Sequence, residues 1–187
     1  MSLFASDRER RLWLWALVAV VAIYATLGLA RTLAGVLRDE GLIGAAFWLG
    51  LLLIGAAVVV QGLRTKPSGL EIGIGLGIAG VYLIAFLRMF VIEERSHLIE
   101  YSVVALLIYE ALKERARHGR RVPVPWLLAI GATVLVGVID ECLQFFIPSR
   151  VFDLFDILFN FIASVMAVGG SAALAWARRR VGKAQPE

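Results

Sequence analysis

Acidic and amide side chains are concentrated in the C-terminal half of this 187-residue chain, inside stretches that are otherwise apolar. Many of them are three or four residues apart, which places them on one face of an α-helix. Carboxylates, amides and an arginine in this pattern suit the binding of a polar or charged group through charge-assisted hydrogen bonds. The candidate site residues are His97, Glu100, Tyr101, Asp140, Glu141, Gln144, Arg150, Asp153, Asp156 and Asn160.

The elements that must position these side chains are membrane helices. Of all residues, 60% are hydrophobic and only 18% are charged. Several apolar runs are long enough to cross a hydrocarbon core of about 30 Å as a helix rising about 1.5 Å per residue. We therefore predict an all-α polytopic membrane protein with about six transmembrane helices. The predicted spans run from about Arg11 to Ala30, Gly41 to Leu63, Leu70 to Ile92, His97 to Lys113, Pro125 to Ile147, and Leu154 to Ala177.

The distribution of basic residues predicts the orientation of these spans. Lys and Arg are retained in short cytoplasmic loops. With both termini cytoplasmic, most of the 19 basic residues fall on the inner side, namely Arg8, Arg10, Arg11, Arg64, Lys66, Lys113, Arg115, Arg117, Arg120, Arg121, Arg178, Arg179, Arg180 and Lys183. The outer side holds only Arg31, Arg38, Arg88, Arg95 and Arg150. We attribute the net charge of +4 to topology, and we predict no nucleic-acid partner because no aromatic–basic interleaving accompanies it.

This topology brings the candidate site residues to one membrane face. The start of span four, the end of span five and the start of span six all lie on the extracytoplasmic side. Asp140 lies about 12 Å down the helix from Pro148, at about 1.5 Å per residue. Glu100 and Asn160 fall at comparable depths. The three polar faces are thus predicted to converge on one pocket that opens to the extracytoplasmic side.

The chain divides into three predicted parts. Residues 1–92 form an N-terminal half of three helices, in which Gly69, Gly73 and Gly77 recur every four residues and permit close helix packing. Residues 93–177 form a second transmembrane domain that carries the candidate site. Residues 178–187 form a basic cytoplasmic tail.

The candidate site residues also carry a family resemblance. The pattern His97-x-x-Glu100-Tyr101, Asp140-Glu141-x-x-Gln144, Arg150 and Asp156-x-x-x-Asn160 resembles the VanZ-like family over roughly His97 to Gly170. The resemblance implies a bacterial cytoplasmic-membrane protein, and the namesake of the family is linked to resistance against the glycopeptide teicoplanin. One departure is Ala163, where the family commonly has glycine.

Several functions are compatible with this pattern. We favour a binding site in which carboxylates and amides hold the sugar-peptide or amine part of a lipid-linked cell-wall precursor, while Arg150, Arg88 or Arg95 engages its phosphate. A purely structural network is less favoured, because interhelical polar bonds contribute about 0.6 kcal/mol on average whereas inserting a charged residue costs about 2.5–3.5 kcal/mol.

Two further alternatives belong to other classes. The carboxylates would suit a divalent cation in an enzyme acting on a lipid pyrophosphate, with His97 as acid or base. We predict no cofactor or metal, since His97-x-x-Glu100 is a weak metal pattern and no nucleophile constellation accompanies it. The chain would otherwise be an accessory subunit with protein partners, docked through its glycine-rich spans two and three.

Overall fold

The computed structural model describes residues 3–26, 35–42, 44–45, 49–50, 52, 66–88, 92–146 and 153–184. Within these ranges the regular structure is entirely helical, as predicted. The long helices are α1 (Asp7–Thr26), α2 (Gly69–Arg88), α3 (Ile92–Arg117), α4 (Pro125–Gln144) and α5 (Leu154–Ala184). The predicted second span, Gly41–Leu63, and the candidate residue Arg150 lie largely or wholly outside the described residues.

In the part of the chain that the structure describes, three helices are long and apolar enough to cross a membrane. They are α2, α4 and residues Leu154–Gly182 of α5. The protein is therefore a helical membrane protein, while the count of six spans and their orientation remain predictions. The side chains of α2, α4 and α5 that point away from the bundle are mostly Leu, Ile, Val and Phe, as expected for a surface in contact with lipid.

Helix α3 is the central helix of the bundle, since it packs against α1, α4 and α5. Its residues Leu98, Tyr101, Val104 and Ala105 are fully buried. By contrast, α2 packs mainly on α5 and buries none of its residues. Because α3 is shielded from lipid by its neighbours, it can carry charged residues that a lipid-facing helix could not.

The contacts between helix termini define two ends of the bundle. Arg8 at the start of α1 forms ion pairs with Glu110 and Glu114 near the end of α3. Arg178 near the end of α5 pairs with Glu71 at the start of α2 at 2.8 Å. We call this the basic end, because it gathers the described basic residues that were predicted to be cytoplasmic. The opposite end, where α3 and α5 begin and α4 ends, is the site end.

The four tryptophans among the described residues support this division. Trp13 and Trp15 lie in the early turns of α1, Trp126 in the first turn of α4 and Trp176 near the end of α5. All four thus lie toward the basic end, and Trp176 stacks under the Arg180 guanidinium at 5.2 Å. Tryptophans are enriched at membrane–water interfaces. Their positions agree with the prediction that the basic end lies at one membrane surface.

An ionic network at the basic end fastens α1 to α3. Glu9 is fully buried and accepts a 3.0 Å hydrogen bond from Arg115. Ser6 caps α1 by accepting from the backbone N–H of Glu9, and its hydroxyl donates to Glu114. Sequence patterns did not indicate the contacts of Arg115 with Glu9 and of Ser6 with Glu114, because these partners are 106 and 108 positions apart.

Candidate functional site

One face of α4 supplies the centre of the candidate site. The helical period places Thr133, Gly137, Asp140, Glu141 and Gln144 on the side that faces the bundle, and all five are buried. Asp140 and Glu141 are fully buried. The predicted polar face of span five is therefore directed inward, where a carboxylate is removed from lipid and can be hydrogen-bonded.

Asp140 receives hydrogen bonds from two other candidate residues. The Tyr101 hydroxyl of α3 donates to Asp140 Oδ2 at 3.0 Å, and Gln144 Nε2 donates to the same oxygen at 3.2 Å. Gln144 Nε2 also donates to Glu141 Oε1 at 3.0 Å. The structure thus brings Tyr101, Asp140, Glu141 and Gln144 into one buried network.

The start of α5 joins this network through Glu141. The backbone N–H of Asp153 donates to Glu141 Oε2 at 3.0 Å. The Asp153 carboxylate caps α5 by accepting from the N–H of Phe155 at 2.8 Å. Asp156 is close enough to Glu141 for their charges to interact. Asp153 is exposed and Asp156 is partly exposed, so both form the rim of the site.

Asn160 lies deeper, on the inner face of α5, and is fully buried. Its side chain rests on the backbone of Gly137, so closely that a Cβ at that glycine would lie 2.6 Å from Asn160 Nδ2. Among the described residues, neither Nδ2 nor Oδ1 of Asn160 has a hydrogen-bond partner. Leaving a buried amide unsatisfied costs about 1–3 kcal/mol per group. Asn160 is therefore held in the bundle at a cost in stability.

His97 and Glu100 complete the α3 side. His97 is buried, and its ring stacks on that of Tyr101 with a centroid distance of 5.7 Å and an interplanar angle of 15°. Glu100 is partly buried and directly precedes Tyr101 in α3. Arg150, predicted as a candidate contact for a ligand phosphate, lies outside the described residues.

The structure adds three hydroxyl residues that the sequence patterns did not single out. Tyr24 of α1 donates to the backbone carbonyl of Val136 at 2.8 Å. Tyr82 of α2 and Ser102 of α3 are joined at 2.7 Å, and Ser102 donates to the carbonyl of Ala163 at 3.3 Å. None of them belongs to a repeating polar face. In the sequence, the only indication that they form polar contacts was that each is a single hydroxyl residue in a mostly apolar run.

The metal-binding capacity of the site can be judged from its donors. In the described ranges, no group of three or more His, Cys, Asp or Glu side chains is placed to hold a metal ion. Asp140 and Glu141 instead accept hydrogen bonds from tyrosine, glutamine and a backbone N–H. The site therefore consists of hydrogen-bonded carboxylates with the buried amide of Asn160 deeper in the bundle.

The fold and the site thus define a class of protein: a helical membrane bundle with a buried cluster of carboxylate and amide groups at one end. The chain matches the family model VanZ/LLP1 over residues 64–175, and it belongs to that family. The match includes α2 as well as α3 and α4, and therefore begins earlier than the resemblance over His97–Gly170. No curated protein and no solved structure matches the chain.

The Ala163 departure from the family pattern has a structural counterpart. Ala163 is fully buried, and it packs with Leu98 and Tyr101 of α3. Its carbonyl accepts the Ser102 hydroxyl. The bundle therefore accommodates the extra methyl group between α3 and α5 while the two helices remain in contact.

Proposed function

We propose that this protein binds a lipid-linked precursor of the bacterial cell wall at the site end, from the extracytoplasmic side of the cytoplasmic membrane. We further propose that this binding confers tolerance to teicoplanin-type glycopeptides. Membership of the VanZ/LLP1 family supports the membrane location and the proposed link to glycopeptide tolerance. The carboxylate and amide groups of the site support the proposed binding of a polar headgroup.

The proposal is supported mainly by the buried amide of Asn160, which has no hydrogen-bond partner among the described residues. A network that served only to hold helices together would be expected to satisfy its own polar groups, because a buried unsatisfied amide destabilises the fold. Asn160 is fully buried, yet among the described residues its amide has no partner. A buried amide without a partner has a free donor and a free acceptor, both of which can form hydrogen bonds with a ligand.

The charges of the site indicate which part of the ligand it takes. Asp140 and Glu141 are fully buried, and Asp153 and Asp156 lie nearer the surface. Carboxylates accept hydrogen bonds from ammonium, hydroxyl and amide N–H groups. The sugar-peptide headgroup of a cell-wall precursor carries all three kinds of donor. Its phosphates require cations, for which Arg88 at the site end of α2, Arg95 and Arg150 are the candidates in the sequence.

The orientation rests on the basic end. The described residues that were assigned to the cytoplasm lie there, at the opposite end from Asp140. If that end is cytoplasmic, as the positive-inside tendency predicts, the site faces the compartment in which cell-wall precursors are polymerised.

A binding measurement tests the proposal. The full-length protein in lipid nanodiscs would be titrated with a polyprenyl-pyrophosphate disaccharide-pentapeptide, and with polyprenyl phosphate as a probe that lacks the headgroup. We expect binding of the first probe to exceed that of the second. Asp140→Asn should weaken binding of the first probe about ten- to a hundredfold, as expected for loss of a charge-assisted hydrogen bond of about 1.5–3 kcal/mol.

Glu110→Gln provides a matched control at the basic end. Glu110 pairs with Lys113 at 2.6 Å and with Arg8 at 3.7 Å, far along α3 from Tyr101. This variant should lower the melting temperature and bind the probe as the wild type does. Equal binding by Asp140→Asn and the wild type would refute the site. Release of phosphate from the probe that depends on Mg²⁺ would favour an enzyme instead, and stoichiometric copurified subunits would favour an accessory role.

A further inference from the structure

A single turn of α4 receives side chains from three neighbouring helices. The turn runs from Val136 to Asp140. Tyr101 of α3 donates to the Asp140 carboxylate, and Asn160 of α5 rests on Gly137. Tyr24 of α1 donates to the carbonyl of Val136 at 2.8 Å. The turn that carries Gly137 and Asp140 is thus also bonded to α1, through Val136.

The bond from Tyr24 acts on the backbone that carries Asp140. In an α-helix the carbonyl of residue i accepts from the N–H of residue i+4, so the Val136 carbonyl is the helical acceptor of Asp140. A carbonyl oxygen has two lone pairs and can accept the Tyr24 hydroxyl as well. Tyr24 is also close enough to interact electrostatically with Asp140 and with Tyr101.

Helix α1 is fixed in register at both ends. Glu9 is held by Arg115 at the basic end, and Tyr24 follows 15 residues later, about 22 Å along the helix. Within the membrane an unpaired hydroxyl or carbonyl is costly, so the bond between Tyr24 and Val136 is favoured over exposure of either group to lipid.

We propose that Tyr24 is a positioning residue of the site, and that α1 is a working part of the site although it lies outside the family-matched residues 64–175. The inference rests on the proposed function. Tyr24 acts through Val136 on the placement of the Asp140 carboxylate that faces Tyr101.

The test removes the Tyr24 hydroxyl alone. Tyr24→Phe keeps the ring, and Tyr109→Phe is the matched control, since Tyr109 is a partly buried tyrosine of α3 near the basic end. In nanodiscs, Tyr24→Phe should bind the polyprenyl-pyrophosphate disaccharide-pentapeptide about two- to tenfold more weakly, as expected for one neutral hydrogen bond. Tyr109→Phe should bind as the wild type does.

A spectroscopic measurement separates positioning from general stability. The infrared carboxyl bands of Asp140, identified by their loss in Asp140→Asn, should shift in Tyr24→Phe and stay unchanged in Tyr109→Phe. Unshifted bands would overturn the inference, whatever happens to binding or to the melting temperature. A shift without any loss of probe binding would overturn the role of Tyr24 in the site.

The two proposals fail in distinguishable ways. If Asp140→Asn binds the probe as tightly as the wild type, the proposed function fails. If Asp140→Asn loses binding and Tyr24→Phe keeps it, the proposed function stands and the role of Tyr24 fails.

Discussion

The side chain of Asn160 in α5 packs directly on the backbone of Gly137 in α4, at the level of the buried Asp140 network. No other residue type fits at position 137 without movement, because a Cβ there would lie 2.6 Å from Asn160 Nδ2 and 3.2 Å from its Cβ. The closeness of α4 and α5, and with it the position of the buried amide, depends on this glycine.

Gly137→Ala should therefore lower the free energy of unfolding by about 1–3 kcal/mol, the usual cost of overpacking. Gly131→Ala in the same helix is the control, since a Cβ there meets nothing within 4 Å. It should be neutral or slightly stabilising, because alanine favours helix more than glycine. Unfolding by denaturant in detergent micelles measures both.

The double variant Gly137→Ala with Asn160→Ala separates this contact from other effects. Truncating Asn160 leaves room for the methyl group, so the two changes should be non-additive, with a coupling within about 0.5–3 kcal/mol. Strict additivity would show that the cost of Gly137→Ala arises elsewhere than at Asn160.

A second prediction concerns the attachment of α1. Glu9→Ala removes a fully buried carboxylate that accepts from Arg115 and from the backbone N–H of Ala5. We expect a loss of about 1.5–3 kcal/mol in the free energy of unfolding, the range for hydrogen bonds to charged groups. Asp7→Ala, which breaks the exposed pair with Arg10, is the control and should change stability little. Similar effects of both variants would argue against a special role for Glu9.

The sequence predicted those parts of the site that depend on helical periodicity alone. The spacing of Asp140, Glu141 and Gln144 predicted that they share one side of α4. Because the residues around them are apolar and suited to contact lipid, this side was predicted to face the bundle. Tyr101 was singled out through the family resemblance, as part of the pattern His97-x-x-Glu100-Tyr101. These features are local, so a pattern in the chain is sufficient to reveal them.

Contacts between helices distant in the chain could not be predicted in this way. Nothing in the run around Tyr24 indicates that its hydroxyl meets Val136, because the choice of neighbouring helix depends on three-dimensional packing. The central place of α3 was also missed. Its helix, Ile92–Arg117, extends beyond the predicted span His97–Lys113, and at its last turns Arg115 pairs with Glu9 of α1. Arg150, predicted as a phosphate contact, lies outside the described residues.

A third prediction concerns topology. Cys142 is the chain's single cysteine, so Cys142→Ser provides a cysteine-free background. In that background, Phe146→Cys at the site end and Ala116→Cys at the basic end place thiols at exposed positions. A membrane-impermeant maleimide should label position 146 in intact cells and position 116 only after lysis. The reverse pattern would invert the orientation and place the site in the cytoplasm.

The last prediction concerns Asn160→Leu, which should raise stability and abolish function together. The substitution removes a buried amide that has no partner among the described residues and replaces it with an apolar side chain that has the same number of heavy atoms and the same branching. Relief of the unsatisfied groups should raise the free energy of unfolding by about 1–3 kcal/mol.

If the amide of Asn160 receives a ligand, the same variant should fail to confer tolerance when it is expressed in a teicoplanin-susceptible Gram-positive host. Ser164→Ala, one turn further along α5, is the control, because the Ser164 hydroxyl donates to the carbonyl of Phe161 within its own helix. It should keep both stability and tolerance. Membrane levels measured alongside exclude a loss of expression. If Asn160→Leu is less stable than the wild type and loses tolerance in proportion, Asn160 serves the fold and has no separate role in binding. If it retains full tolerance, the buried amide is not part of the working site.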